Sequence, residues 1–249
     1  MSGERARWDR LAQDPYYAVI NDPRNRTASL TADARRMFFE SGERDVATTI
    51  GLVRQLVDPA FSPRYTVDYG CGVGRLAIPL ARYSEREVGV DISATMLEEG
   101  RRNCAERGIR NVEFQLADEY LVSPSHDSPD FVHSFIVFQH IPPRIGESVF
   151  LQLVRRLVPG GVGALHVTHA RRASVFRRTV NWTRRRFPPA NMLVNAVQGR
   201  GLLEPLIPMY RYDIGKLLSH LGDRGCRTVH VLPTDHGGYQ GAMLIFRVP

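Results

Sequence analysis

Lysine is almost missing from this chain: of 33 basic residues, only Lys216 is a lysine. Cysteine is nearly as scarce. Cys71, Cys104 and Cys226 form an odd, widely spaced set, which argues against a disulfide framework or a zinc module and fits a reducing cytoplasm. No run of about 18 apolar residues occurs, so no membrane-spanning helix is expected. Met1 to Arg10 is polar and charged, so no secretory leader is expected there. What remains is an ordinary globular composition, 43% hydrophobic and 24% charged over 249 residues. That length suits one large domain, or one with a modest addition, and can bury a core without staples.

The net charge is +7. Seven arginines lie between Arg171 and Arg186 with no acid among them. Without them the basic and acidic residues balance, so the excess is local. Phe176, Trp182 and Phe187 are interleaved with the arginines. Such a segment suits nucleic acid, an anionic membrane surface or a lid over an acidic substrate. A solvated insertion, rich in arginine by codon bias, explains it equally well.

Residues 1–60 read as helical pieces, with periodic apolar positions over Thr31 to Phe39 and Glu43 to Val57. Beyond Asp58-Pro59 and Ser62-Pro63 the pattern changes. Strands are expected at Tyr65–Tyr69, Glu87–Val90, Val112–Leu116, Asp130–Ile136 and Val162–Thr168. Helices are expected between them over Arg75–Tyr83, Ser93–Arg107 and Pro142–Val158. Residues 170–211 interrupt this rhythm and read as an inserted cap. A helix over Tyr212–Leu221 and strands at Arg227–Leu232 and Ala242–Val248 close the chain. The alternation predicts an α/β fold with a seven-stranded, mostly parallel, doubly wound sheet. The closing strand pair must include one antiparallel strand.

Gly70, Gly72 and Gly74 follow the first strand. Glycines there let backbone approach a ligand, and the next helix offers unpaired N–H groups. The spacing Gly70-x-Gly72-x-Gly74 differs from the G-x-G-x-x-G of nicotinamide-binding folds. Asp68 lies inside the strand, Asp91 ends the second strand and Asp118 follows the third. Acids at three consecutive strand tips suit a cationic nucleoside better than a polyphosphate. Asp91 is placed to accept both hydroxyls of a ribose. Asp68 also reads as a plain loop-capping acid, and Glu119 competes with Asp118.

The run Val67-Asp68-Tyr69-Gly70-Cys71-Gly72-Val73-Gly74 resembles the first motif of class I S-adenosylmethionine-dependent methyltransferases. Gly89-Val90-Asp91-Ile92-Ser93 resembles the ribose-binding segment of that family, Met96 its apolar adenine contact, and Leu116-Ala117-Asp118 its adenine-contacting segment. Asp130 to Phe135 resembles the motif beside the methionine moiety, and Leu157 to Gly161 the turn before the fifth strand. Trp8, Asp14 to Tyr17 and Phe38 to Gly42 resemble the cap of small-molecule members. The resemblance implies a Rossmann-like methyltransferase domain over residues 61–249, a helical cap over 1–60 and an inserted cap after strand 5. It implies S-adenosylmethionine as cofactor, with S-adenosylhomocysteine as product. The implied cofactor residues are Asp68, Gly70, Cys71, Gly72, Gly74, Asp91, Ile92, Met96, Asp118 and Phe135. Cys71 is expected to pack rather than to act as a nucleophile.

Methyl transfer to an alcohol needs a base for its proton, whereas an amine need only arrive neutral. Of eight histidines, His140, His169 and His236 fall at the expected ligand edge of the sheet and are the catalytic candidates. His140 reads equally as a brace for its loop. No metal is expected, since Ser134, Gln139 and His140 stand where an acidic cluster would. The favoured function is methylation of a small molecule, such as a sugar or a secondary metabolite, at oxygen. Transfer to nitrogen, RNA methylation guided by the arginine segment, and silent cofactor binding are the alternatives. The apolar residues of 188–210 suit a pocket wall or a homodimer contact.

Overall fold

The computed structural model describes residues 2–117, 128–171, 183, 187–197, 201 and 207–249. Asp118, Glu119 and all of the Arg171–Arg186 segment except Arg171 and Thr183 lie outside the described residues.

Seven strands form one sheet in the order β3-β2-β1-β4-β5-β7-β6. They are β1 (Tyr65–Tyr69), β2 (Arg86–Asp91), β3 (Val112–Leu116), β4 (Phe131–Ser134), β5 (Val162–Arg171), β6 (Val229–His236) and β7 (Tyr239–Arg247). β1 to β5 pair in parallel. β7 runs antiparallel to both β5 and β6, which supplies the expected antiparallel strand. The strand order reverses between β1 and β4, and the crevice at that switch point is where ligands bind in open α/β sheets.

Both faces are covered because most strand residues are apolar on both sides. On one face Val67, Val88, Leu165 and Leu244 pack under the helices Pro143–Arg156 and Ile214–Asp223. On the other, Phe131, Ala164 and Ile245 pack under α3 (Ala32–Leu56), which contributes Val46, Ile50 and Val53. Burying each such side chain is worth roughly 1.5–3 kcal/mol. Glu87 of β2 is fully buried, and among the described residues neither carboxylate oxygen has a hydrogen-bond partner. Burial, and secondarily the charge of Asp68, push its carboxyl well above the ordinary carboxylate range.

Four boundaries differ from the sequence expectation. The two helical stretches before residue 58 are one helix, α3, capped by Thr31 Oγ1 on the Ala34 N–H. Gly42 sits buried at its middle because a Cβ there would collide with the backbone oxygen of Arg75. Close approach of the glycine-rich loop, rather than helix propensity, selects that glycine. The helix expected after that loop is only a short α4 (Ala77–Leu80). β4 stops at Ser134, and Ile136 takes φ 61. A β-branched residue in this region carries local strain of about 1–3 kcal/mol, and it sits at the ligand edge. The loop expected between β6 and β7 is instead a tight turn at Gly237 and Gly238, φ 64 and 87, with both strands running to its ends.

Candidate active site

The β1/β4 crevice opens into a cavity of about 460 Å³. Its floor is the end of β1 and the glycine loop. Gly70 takes φ 80 and Gly72 φ 54, conformations natural to glycine. A Cβ on Gly70 would overlap Val137, so the loop and the end of β4 close together over the crevice. The N–H groups of Gly70 and Cys71 both reach the Val90 carbonyl, at 2.7 and 3.1 Å, which ties the loop to β2. Gly74 does not line the cavity; it packs against Ile78 and Phe114. Cys71 lines it, but burial pushes its thiol well above the ordinary range. A protonated, packed thiol is not a nucleophile.

Two carboxylates face the cavity from the strand tips. Asp68 is buried, and its Oδ1 is hydrogen-bonded to His133 Nδ1 at 2.9 Å. Among the described residues its Oδ2 has no hydrogen-bond partner, an arrangement that calls for a cationic or donor ligand. Asp91 accepts from the Ser93 N–H at Oδ1 and from the Gly72 N–H at Oδ2, each 2.9 Å. Burial nevertheless raises its carboxyl from 3.8 to about 6. Ile92 and buried Met96 continue this wall, and Ala117 completes it beside β3.

The N-terminal helix α1 (Ser2–Leu11) lies across these tips. Asp9 Oδ1 accepts from Ser93 Oγ at 2.6 Å, and Arg5 donates to the Ala117 carbonyl at 3.0 Å. Glu4 and Trp8 thereby face the cavity, joined by Val19 and Ile20 from the region of α2 (Pro15–Val19). Only Trp8 of these carried a sequence signal, through the cap resemblance.

The three candidate histidines separate. His140 lines the cavity, but both ring nitrogens are engaged, Nδ1 with the Pro208 carbonyl and Nε2 with Gln139, each at 3.2 Å. Its ring meets Trp8 edge-on at 5.5 Å, and burial lowers its pKa to about 4. His169 is exposed and does not line the cavity, because it is the extra residue of a β-bulge between Thr168 and Ala170 that turns the strand's alternation. His236, at the end of β6, does line it. Its ring packs edge-on against Phe135 at 5.4 Å and His166 at 5.2 Å. Burial lowers its pKa, while the charges of Asp45 and Asp235 pull it back. Asp235 does not orient the ring; its carboxylate accepts from the Gly238 N–H at 2.8 Å.

Sequence reasoning missed the acidic and basic groups beyond the loop. Arg75 donates to Asp45 at 2.6 Å and to Ser41 Oγ at 3.2 Å, and all three line the cavity. Among the described residues no group of three or more His, Cys, Asp or Glu is placed to hold a metal ion. No helix among them is long and apolar enough to cross a membrane.

Comparison with known proteins places this geometry. Over 98% of both chains the fold resembles the magnesium protoporphyrin IX methyltransferase of Synechocystis, solved with bound S-adenosylhomocysteine, with a TM-score of 0.65 and 18% identity. Residues 66–161 match the family model described as a methyltransferase domain. The chain carries a methyltransferase domain, and its fold is that of the class I S-adenosylmethionine-dependent methyltransferases. Within this methyltransferase family, the N-methyltransferase NodS of Bradyrhizobium japonicum is also similar in fold, with a TM-score of 0.52 at 12% identity over 85% of this chain and 97% of that one. Identities this low speak to fold alone. Among curated sequences, a 23S rRNA (uracil(1939)-C(5))-methyltransferase of Alkalilimnicola ehrlichii is 31% identical over 150 residues. That stretch is 57% of this methyltransferase but only 33% of the relative, so the chain spans about a third of that protein's length. A protein of the same description from Methylococcus capsulatus is 41% identical over 69 residues, 28% of this chain and 15% of the relative.

Proposed function

We propose that this methyltransferase moves a methyl group from S-adenosylmethionine to a hydroxyl of a small molecule. The observation that carries the donor assignment is the unpartnered Oδ2 of buried Asp68 beside a glycine cradle that a Cβ would fill. Such a carboxylate oxygen suits the donor's ammonium group. Asp91 suits the ribose hydroxyls, Met96 and Ile92 the adenine faces, and Phe135 the region of the methionine chain. When bound, S-adenosylmethionine supplies an electrophilic methyl, whose bond to sulfur breaks as the bond to the acceptor oxygen forms, the electron pair staying on sulfur.

The residues around that centre do three things. Glu4 and Trp8 of α1 cover the crevice and limit water. His140 holds Trp8 and the loop after β4 in place. His236 takes the hydroxyl proton. Among the described residues its Nε2 is buried without a hydrogen-bond partner, so no protein group ties up that nitrogen. A lowered pKa keeps the ring neutral, and able to accept, at neutral pH. Reaction with an amine would need no such base, and the presence of His236 favours oxygen over nitrogen.

The similarity to rRNA methyltransferases supports a second reading, with RNA as acceptor. Calorimetry with S-adenosylhomocysteine, followed by labelled methyl transfer to separated small-molecule and RNA fractions of a cell extract, tests both. Label in small molecules is expected, with His236→Gln lowering the rate by roughly 100-fold or more while cofactor affinity holds. Label confined to RNA would replace this reading, and failure to bind the cofactor product would remove it.

A further inference from the structure

The donor assignment occupies the Asp68–Asp91 side of the cavity and leaves Ser41, Asp45 and Arg75, which line it with His236, without a ligand role. The Arg75 side chain is 8% exposed. Its Nη1 makes both protein contacts, to Asp45 Oδ2 at 2.6 Å and to Ser41 Oγ at 3.2 Å. Among the described residues, no hydrogen bond engages Nε or Nη2 of Arg75 or Oδ1 of Asp45. A buried guanidinium with one carboxylate partner is a neutral unit that still offers donors on one side and an acceptor on the other. The Asp45 side chain is 41% exposed, so its second oxygen has room to accept.

That arrangement discriminates by charge. An anionic ligand seated on the pair would face Asp45, and a cationic one would face Arg75. An uncharged ligand with neighbouring hydroxyls would use both, donating to the carboxylate and accepting from the guanidinium. The rest of the cavity gives such a ligand apolar walls, from Phe135, Ile145 and Val149. We propose that the Arg75–Asp45 pair is the acceptor-recognition element of this cavity and that it selects an uncharged polyol, of the class of a sugar ring with adjacent free hydroxyls. The inference rests on the methyl-transfer reading and deepens it. Asp45 and Arg75 hold and orient the acceptor, and His236 stays the group that takes its proton.

The test is calorimetry on the full chain saturated with S-adenosylhomocysteine. The probes are three aryl glycosides that differ in charge: p-nitrophenyl glucoside, glucuronide and glucosaminide. The glucoside is expected to bind about tenfold or more tighter than either charged probe, a 1.4 kcal/mol difference. Asp45→Asn leaves the pair cationic and is expected to move the preference to the glucuronide, with cofactor-product affinity held. Equal or tighter binding of a charged probe by the wild type would overturn the proposal, as would no binding of any probe. So would an Asp45→Asn variant that keeps the wild-type ranking. The wild-type ranking stands as the test if that variant fails to fold. Loss of cofactor-product binding in the wild type would strike the methyl-transfer reading itself, which separates the two failures.

Discussion

Replacing Asp91 with asparagine should uncouple stability from cofactor binding. The carboxylate is held by the N–H groups of Gly72 and Ser93, each at 2.9 Å. Even so, burial raises it from 3.8 to about 6. At 1.36 kcal/mol per unit, the ionised form is maintained at neutral pH at a cost of at most about 3 kcal/mol. Asp91→Asn removes that cost. It also turns one amide NH2 toward a backbone N–H that previously had an acceptor, a loss of about 1–3 kcal/mol. The two terms oppose, so unfolding in urea should change by no more than about 1–2 kcal/mol. Binding has no such compensation. The variant loses a charge-assisted interaction with the ribose, about 1–3 kcal/mol, or roughly 5- to 150-fold in Kd for S-adenosylhomocysteine by calorimetry. Wild-type affinity should weaken as pH falls through about 6, where the carboxyl takes a proton, and the variant's should not. Unchanged affinity in Asp91→Asn, or a flat wild-type pH profile, would refute the role given to this side chain.

Gly42→Ala should destabilise by about 1–3 kcal/mol, because its Cβ meets the Arg75 backbone oxygen, which cannot swing away. Helix propensity alone predicts a gain of about 1 kcal/mol, so the sign in a urea titration decides between them. His140→Ala should cost about 1 kcal/mol of stability through the lost Pro208 bond and Trp8 packing. It should lower the rate by less than about tenfold; a far larger rate loss would restore it as the base. The two buried histidines should remove stability as pH drops from 6.5 toward about 4. Burial holds His140 at about 4 and His166 at about 3, so the unfolded chain binds more protons over that window. Asp91, raised to about 6, works the other way between about 4 and 6. Glu87, pushed well above the ordinary carboxylate range, also works the other way, so the histidine loss is read in Glu87→Gln, whose urea midpoint should be lower at pH 5 than at pH 7.

The strands and the glycine loop were legible because their signals are local. Runs such as Tyr65–Tyr69 and Val112–Leu116 are short, β-rich and bounded by turn residues, and their limits in the structure are the expected ones. Boundaries failed where a partner far along the chain sets them. Asp130–Ile136 reads as one strand, yet Ile136 leaves the sheet to line the crevice. The histidines show the same division. Position along the chain brings His140, His169 and His236 to one edge, but a one-residue bulge decides that His169 faces away.

The sequence by itself determined the order of strands and helices, the glycine cradle, and Asp68 and Asp91 at neighbouring strand tips. Periodicity, turn chemistry and strand ends are properties of consecutive residues. Only the tertiary structure decided that Arg75 pairs with Asp45 across 30 positions, that α1 lies over the crevice, and that His236 rather than His169 faces the cavity. Those outcomes depend on how packed elements meet in space, and residues that meet in this way carry no mark of it in their spacing along the chain.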